Sequence, residues 1–262
     1  MKRKFYIIGH NPNTSYEAYE CLAQGANAIE PDVHYDAPSA TFYVSHSSGD
    51  PEDYPLLKQY LNDLGDLIRD GSIPNLALAA FDLKPPYAYD IKDLYKLIRN
   101  EFAYEFSDIP ILTTIGEPSA MAFLDGVRGD QRPNEAVGVD EGVAPTRVYE
   151  HFRTLGINYT YGAGLTNLLW RGFYDAYADW VREAIRFRGI AGGLKMTYAW
   201  VIDNESYMRD YLDMGADGII TEDIPLISQL IGSTYADGYE LAARGDNPFA
   251  DNMPAISSAE QP

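Results

Sequence analysis

Residues 4–33 read KFYIIGHNPNTSYEAYECLAQGANAIEPDV: an apolar run, a polar turn, a helix-period segment and a second apolar run. Lys4 to Gly9 has the aromatic and β-branched content of a strand, Ser15 to Gln24 is helical in its spacing, and Ala26 to Val33 is strand-like again. A strand, a helix and a strand within ~30 residues form the unit whose crossover makes two strands parallel. The alternation continues along the chain. Strands are predicted over Leu76 to Leu83, Ile109 to Ile115, Ala136 to Asp140, Ile157 to Tyr161, Met196 to Ile202 and Gly218 to Thr221. Helices are predicted over Tyr54 to Asp70, Ile91 to Phe102, Pro145 to Leu155, Leu168 to Phe187, Glu205 to Met214 and Ile224 to Ile231. Only Pro118 to Leu124, after the fourth strand, is short and weak. Eight βα units in 262 residues predict an α/β (β/α)8 TIM barrel. One domain is expected over residues 1–250, with a mobile tail over 251–262.

Composition narrows the partners. With 39 acidic and 20 basic residues the net charge is -19, so no nucleic acid is expected as partner, because phosphate backbones are held by clustered Lys and Arg. Cys21 is the single cysteine, so no internal disulfide forms, which fits the cytoplasm and fits secretion equally. No segment has the ~18 uncharged apolar residues that a bilayer span requires. The abrupt start at a first strand makes secretion with a removed leader the expectation and the cytoplasm the alternative. A monomer is expected.

The chemistry concentrates at predicted strand ends. His10 closes the first strand. Glu30 and Asp32 lie two apart, so an extended backbone turns both to one face about 7 Å apart. Asp82 and Lys84 share a face at the end of LALAAFDLK, residues 76–84, and the insert Ala40 to Ser47, a hairpin or extension, carries His46. Active sites of such barrels sit on the loops after the strands. Three carboxylates, two histidines and a lysine there point to a hydrolytic site around one hard cation. Asp82 with Lys84 also fits a structural ion pair, and Trp200 alone fits a core position. His34 continues the alternation of Glu30 and Asp32, and is read as a barrel-filling residue bonded to a carboxylate; His151, in a helix, is given no role.

GHNPN, GANAIEPDVHYD, the SH of YVSHSSG, FDLK, the TN and RG of GLTNLLWRG, YAWVID, GADGIITED and DNPF occur in this order. In these motifs the chain resembles the phospholipase D toxin and sphingomyelinase D family, a branch of the glycerophosphodiester phosphodiesterase superfamily. The resemblance implies Mg2+ held by Glu30, Asp32 and Asp82, with Ca2+ as the other candidate, and a catalytic pair of His10 and His46. It also implies Lys84 near the phosphate and aromatic positions, Tyr198 and Trp200, lining the site, where cation-π attraction can hold choline. Asn13 and Lys195 complete the expected substrate-binding set. The implied reaction removes choline or ethanolamine from a lysophospholipid, a lysoplasmalogen included, or from sphingomyelin. The alternatives are a glycerophosphodiesterase acting on deacylated diesters and a barrel that only binds lipid or phosphate.

Departures accompany the matches. Venom members carry a cysteine-bridged loop after the second histidine, whereas SSGDPEDYP, residues 47–55, has no cysteine, which suggests a microbial relative. Glu222 follows Thr221 where the toxins usually have asparagine. PPYAY, residues 85–89, reads as a rigid turn or as tyrosines for peripheral contact with a membrane or micelle. DNPF implies a tail closing the barrel bottom.

Overall fold

The computed structural model describes residues 2–140, 143–164 and 174–250. Its strands are β1 (Arg3–His10), β2 (Ala28–Glu30), β3 (Asp32–Asp36), β4 (Thr41–Val44), β5 (Leu78–Leu83), β6 (Ile111–Ile115), β7 (Glu135–Val139), β8 (Tyr159–Gly164), β9 (Thr197–Trp200), β10 (Gly218–Thr221) and β11 (Tyr239–Leu241). β1, β2 and β5 through β10 pair in parallel, and the ring closes because β1 is bonded to both β2 and β10. The eight-stranded barrel is therefore as the βα count predicts. The surrounding helices are α1 (Ser15–Ala23), α2 (Leu57–Arg69), α3 (Ile91–Ile98), the one-turn α4 (Met121–Leu124), α5 (Pro145–Phe152), α6 (Tyr174–Phe187), α7 (Glu205–Met214) and α8 (Ile224–Gly232).

Two details differ from the sequence reading. The second predicted strand breaks at Pro31, which has no N–H to give to a ladder. Beyond it β3 pairs with β5 at Asp32 and Val33 and forms one arm of an antiparallel hairpin with β4, the form the insert takes. A short β11, embedded in a polar segment, pairs in parallel with Arg3, Lys4 and Phe5 at the start of β1. The TN and RG motifs, the first part of the predicted helix Leu168 to Phe187 and the tail over 251–262 lie outside the described residues.

Side chains alternate along each strand, and the barrel uses that alternation to separate two cores. Phe5, Ile7, Ile29, Ala79 and Phe81 point outward into the layer shared with the helices. Tyr6, Ile8, Ala28, Leu78, Ala80, Leu112, Met196, Tyr198 and Ile220 fill the interior. Burying each large apolar side chain contributes roughly 1.5–3 kcal/mol relative to exposure. Phe249 belongs to the inner cluster and is 2% exposed. The Tyr6 hydroxyl donates to the Asp246 carbonyl at 3.3 Å, and Asn247 Nδ2 to the Pro133 carbonyl at 3.0 Å. DNPF thus closes the bottom of the barrel. At the other end the same alternation turns polar: His10 follows Ile8, Glu30 follows Ala28, Asp82 follows Ala80 and Trp200 follows Tyr198.

Candidate active site and metal cluster

The loop after β1 is fixed at several points. Asn11 adopts φ +53°, a left-handed conformation that asparagine tolerates better than most residues, and its N–H donates to the Glu30 carbonyl at 3.1 Å. The Tyr60 hydroxyl, from α2, donates to the Pro12 carbonyl at 2.8 Å. Thr14 and Glu17 form a capping box that starts α1. Asn13, held between these anchors, accepts from the Asp32 N–H at 2.8 Å and donates to Asp32 Oδ2 at 3.0 Å. Both the oxygen and the NH2 of the Asn13 amide thus orient Asp32.

Glu30, Asp32 and Asp82 each offer an oxygen within 4.8 Å of the others. Strand register explains this convergence: Glu30 is the β-ladder partner of His10, and Asp32 that of Asp82. Burial, then the charges of Asp82 and Asp32, push the Glu30 carboxyl well above its usual range. Burial likewise pushes Asp82 up to about 6, against the opposing pull of Lys84. The Lys84 ammonium bonds the Asp82 carboxylate and lies 2.6 Å from Asp32 Oδ1. Burial alone would lower its pKa, but the two carboxylates outweigh that and hold it above its ordinary value. Among the described residues Asp82 Oδ1 is buried without a hydrogen-bond partner. Three converging buried carboxylates, one lysine and an orphaned oxygen fit a hard divalent cation coordinated by oxygen. When bound, such an ion would neutralise charge developing on a phosphodiester.

The His10 and His46 rings meet edge to face, with centroids 6.4 Å apart and planes at 76°. His46 Nδ1 lies 3.0 Å from Asn11 Nδ2 and 3.2 Å from Asp32 Oδ2. His10 Nδ1 lies 3.1 Å from Glu222 Oε1. Both rings line a cavity of about 380 Å³ together with Glu30, Asp82, Lys84 and Trp200, and its lining also includes Leu83, Pro85, Tyr87, Val201 and Ile220. Hence His10, His46, Glu30, Asp32, Asp82, Lys84 and Trp200 come together in one place.

Two expected substrate contacts do not reach it. Tyr198 shares the inward face of Trp200 but sits one layer deeper, 1% exposed, where its hydroxyl donates to the Asp140 carboxylate. Gly162 makes room for it: a Cβ there would fall 2.5 Å from Tyr198 Cε2 and 2.8 Å from Asp140 Oδ1. Lys195 precedes β9 and lines a separate cavity with Arg188 and Gly192, at the N-terminal end of the strand whose C-terminal end carries Trp200. Asp140 is the group that sequence reasoning missed. It lines the site cavity, its carbonyl accepts from Trp200 Nε1 at 2.8 Å, and burial, then the Asp82 charge, push its carboxyl up to about 7. Its signal was available in VGVD, a strand ending in aspartate as FDLK nearly does.

The other histidines do not join the pair. His34 is 6% exposed and stacks on Tyr43 with centroids 5.2 Å apart, and burial lowers its pKa. Its Nε2 has no partner among the described residues, so the carboxylate bond expected for it is not made. His151 Nε2 pairs with Asp125 at 2.8 Å, away from the cavity.

Residues 1–249 match the family model described as Dermonecrotic toxin SPH. The chain belongs to that family. The dermonecrotic toxin LapSicTox-alphaII1 of Loxosceles apachea is 29% identical over 277 residues, covering 93% of this chain and 98% of the toxin. The toxin LiSicTox-alphaIA2aii of Loxosceles intermedia is 30% identical, covering 95% of each. Among solved structures, a glycerophosphodiester phosphodiesterase of Parabacteroides distasonis superposes with a TM-score of 0.64 at 18% identity, covering 90% of this chain and 100% of that one. A phosphodiesterase of Oleispira antarctica, in complex with the product sn-glycerol-3-phosphate, gives 0.63 at 15% identity, covering 87% and 97%. Those two likenesses establish the barrel. Membership of the family makes the chain a phosphoric diester hydrolase of the phospholipase D type, as the motif resemblance implied.

Proposed function

We propose that this enzyme removes the choline or ethanolamine head group from a lysophospholipid, a lysoplasmalogen included, or from sphingomyelin, with Mg2+ at Glu30, Asp32 and Asp82. The observation that carries the reading is the pair of imidazoles meeting edge to face beside that cluster. A phosphodiester seated between the rings has one available to attack or to deprotonate a nucleophile and the other to protonate the leaving oxygen. A protonated Nδ1 of His46 donates to Asp32 Oδ2 at 3.2 Å, so Nε2 is its working nitrogen. Lys84 adds a fixed positive charge beside the phosphate oxygens. The indole of Trp200 supplies a face for a quaternary ammonium, and the apolar surface of Tyr87 and Val201 in the cavity lining favours a substrate with an acyl chain over a deacylated diester. Secretion belongs to the same proposal, since the relatives are toxins.

The test is choline release from lysophosphatidylcholine, sphingomyelin and glycerophosphocholine with Mg2+, with EDTA and with His46→Ala. Release from a lipid that requires both the metal and His46 supports the proposal, and release from glycerophosphocholine alone moves the substrate to deacylated diesters. No release from any of the three under any condition sinks it. The phosphate product, resolved by phosphorus NMR, distinguishes attack by water from attack by a neighbouring hydroxyl of the substrate, which closes a cyclic phosphate.

A further inference from the structure

Glu222 stands immediately after β10, on the one strand end where the sequence departs from its motif. Gly9 and Thr221 are ladder partners in the β1–β10 pairing, so His10 and Glu222 are the next residues up on adjacent strands. The backbone there is pinned: the Glu222 N–H and the Thr221 hydroxyl both donate to Asp203 Oδ1, each at 2.8 Å. From this base the Glu222 side chain, itself 70% exposed, brings Oε1 to 3.1 Å from His10 Nδ1, while the His10 side chain is only 16% exposed.

We infer that Glu222 is a positioning residue for His10, fixing the tautomer protonated at Nδ1 and so leaving the Nε2 lone pair for the phosphodiester. The inference rests on the hydrolase reading of the site. An ionised carboxylate only accepts hydrogen bonds, so the nitrogen facing it must be the one carrying hydrogen. An amide in the same place could offer either its oxygen or its NH2 and would specify nothing. The two histidines are then held by different means. His46 is tied to Asp32, a member of the cation cluster, and His10 to a carboxylate outside that cluster. An aligned Nε2 matters because reactive groups must be held within a fraction of an ångström and a few tens of degrees of the productive geometry.

The experiment labels histidine with 15N and reads long-range proton–nitrogen correlations at pH 8, where an ordinary imidazole is neutral. With four histidines in the chain, His10→Gln assigns the signal. The expected result is an Nδ1–H tautomer at His10 in the parent protein and a mixture in both Glu222→Ala and Glu222→Gln, whose amide can offer either its oxygen or its NH2. In turnover, Glu222→Ala should lose about tenfold in kcat, the low end for a residue orienting a ligand or base, with KM within about twofold. An Nε2–H tautomer in the parent, or a tautomer unmoved by Glu222→Ala, overturns the inference even if lipid is turned over. If the tautomer moves as expected while no phosphodiester is cleaved, the positioning stands and the substrate reading fails.

Discussion

The two ends of the barrel bury carboxylates in opposite ways. At the bottom, Asp217 is fully buried and accepts from Arg188 Nη1 at 2.5 Å, Arg3 Nη1 at 3.1 Å, and the N–H and hydroxyl of Thr197 at 2.9 and 3.2 Å. Two guanidiniums and two neutral donors surround one negative charge. At the top, Glu30, Asp32, Asp82 and Asp140 share Lys84 as their cation among the described residues. The bottom surrounds its carboxylate with positive charge and serves the fold, whereas the top is left short of positive charge by an arrangement that an incoming cation would complete. Excess buried charge of one sign is costly unless something compensates it, so a site that retains it is shaped by function.

Neutralising one carboxylate at each end should therefore give opposite results. Glu30→Gln relieves repulsion at the top: turnover should fall about a thousandfold, the scale of losing a main electrostatic contribution to the transition state, while the metal-free protein unfolds at a higher temperature than the parent. Asp217→Ala strands Arg188 in the bottom and should cost about 3–5 kcal/mol in urea unfolding, with kcat per folded molecule unchanged. Thermal and urea unfolding in EDTA, run beside the choline assay, read both. A Glu30→Gln variant less stable than the parent without metal would break the contrast.

Proton uptake provides a second way to sharpen it. Asp140, pushed up to about 7, and Asp82, pushed up to about 6, both have folded pKa values above the unfolded carboxylate. The folded protein therefore binds more protons than the unfolded one between about pH 7 and pH 4, and stability contributed by these groups is present at the acid end and lost as pH rises through 6–7. Metal-free protein should accordingly gain on the order of 2 kcal/mol from pH 8 to pH 5. Excess Mg2+ should flatten that slope, because an occupied cluster prefers its carboxylates ionised. A metal-free stability that instead falls across this range would show that the top charges are already balanced.

Much of this contrast could be read from sequence, for a physical reason. An inward-facing strand position reappears every second residue, so Ile8 leads to His10, Ala28 to Glu30 and Ala80 to Asp82, and a polar residue at the end of an apolar alternation marks the barrel mouth. What the sequence concealed depends on contacts between loops. Nothing in HNPN announces that Asn13 reaches across to Asp32, and the roles of Asp140 and Tyr198 appear only once Gly162 is seen to leave space between them. Glu222 was visible as a departure, but its neighbour His10 lies 212 residues away and is reached only through the closure of β1 on β10.

Lys195 marks where the expected substrate-binding set and the fold part, and it supplies the smallest predicted effect. It lies five residues before Trp200 in the chain. Five residues of extended strand nevertheless span about 16 Å, which carries Lys195 from the mouth to the bottom. Its cavity is lined by Arg188, Gly192 and Ala250 and shares no residue with the site. Lys195→Ala should leave kcat and KM for choline release within about twofold of the parent, as for most substitutions away from a site. Asn13→Ala, which frees Asp32 from both of its amide bonds, should lower kcat/KM or metal affinity about 10–100-fold. A fivefold or larger loss on replacing Lys195, in a variant that unfolds at the parent's temperature, would mean that the bottom of the barrel takes part in substrate binding and that the two ends are coupled.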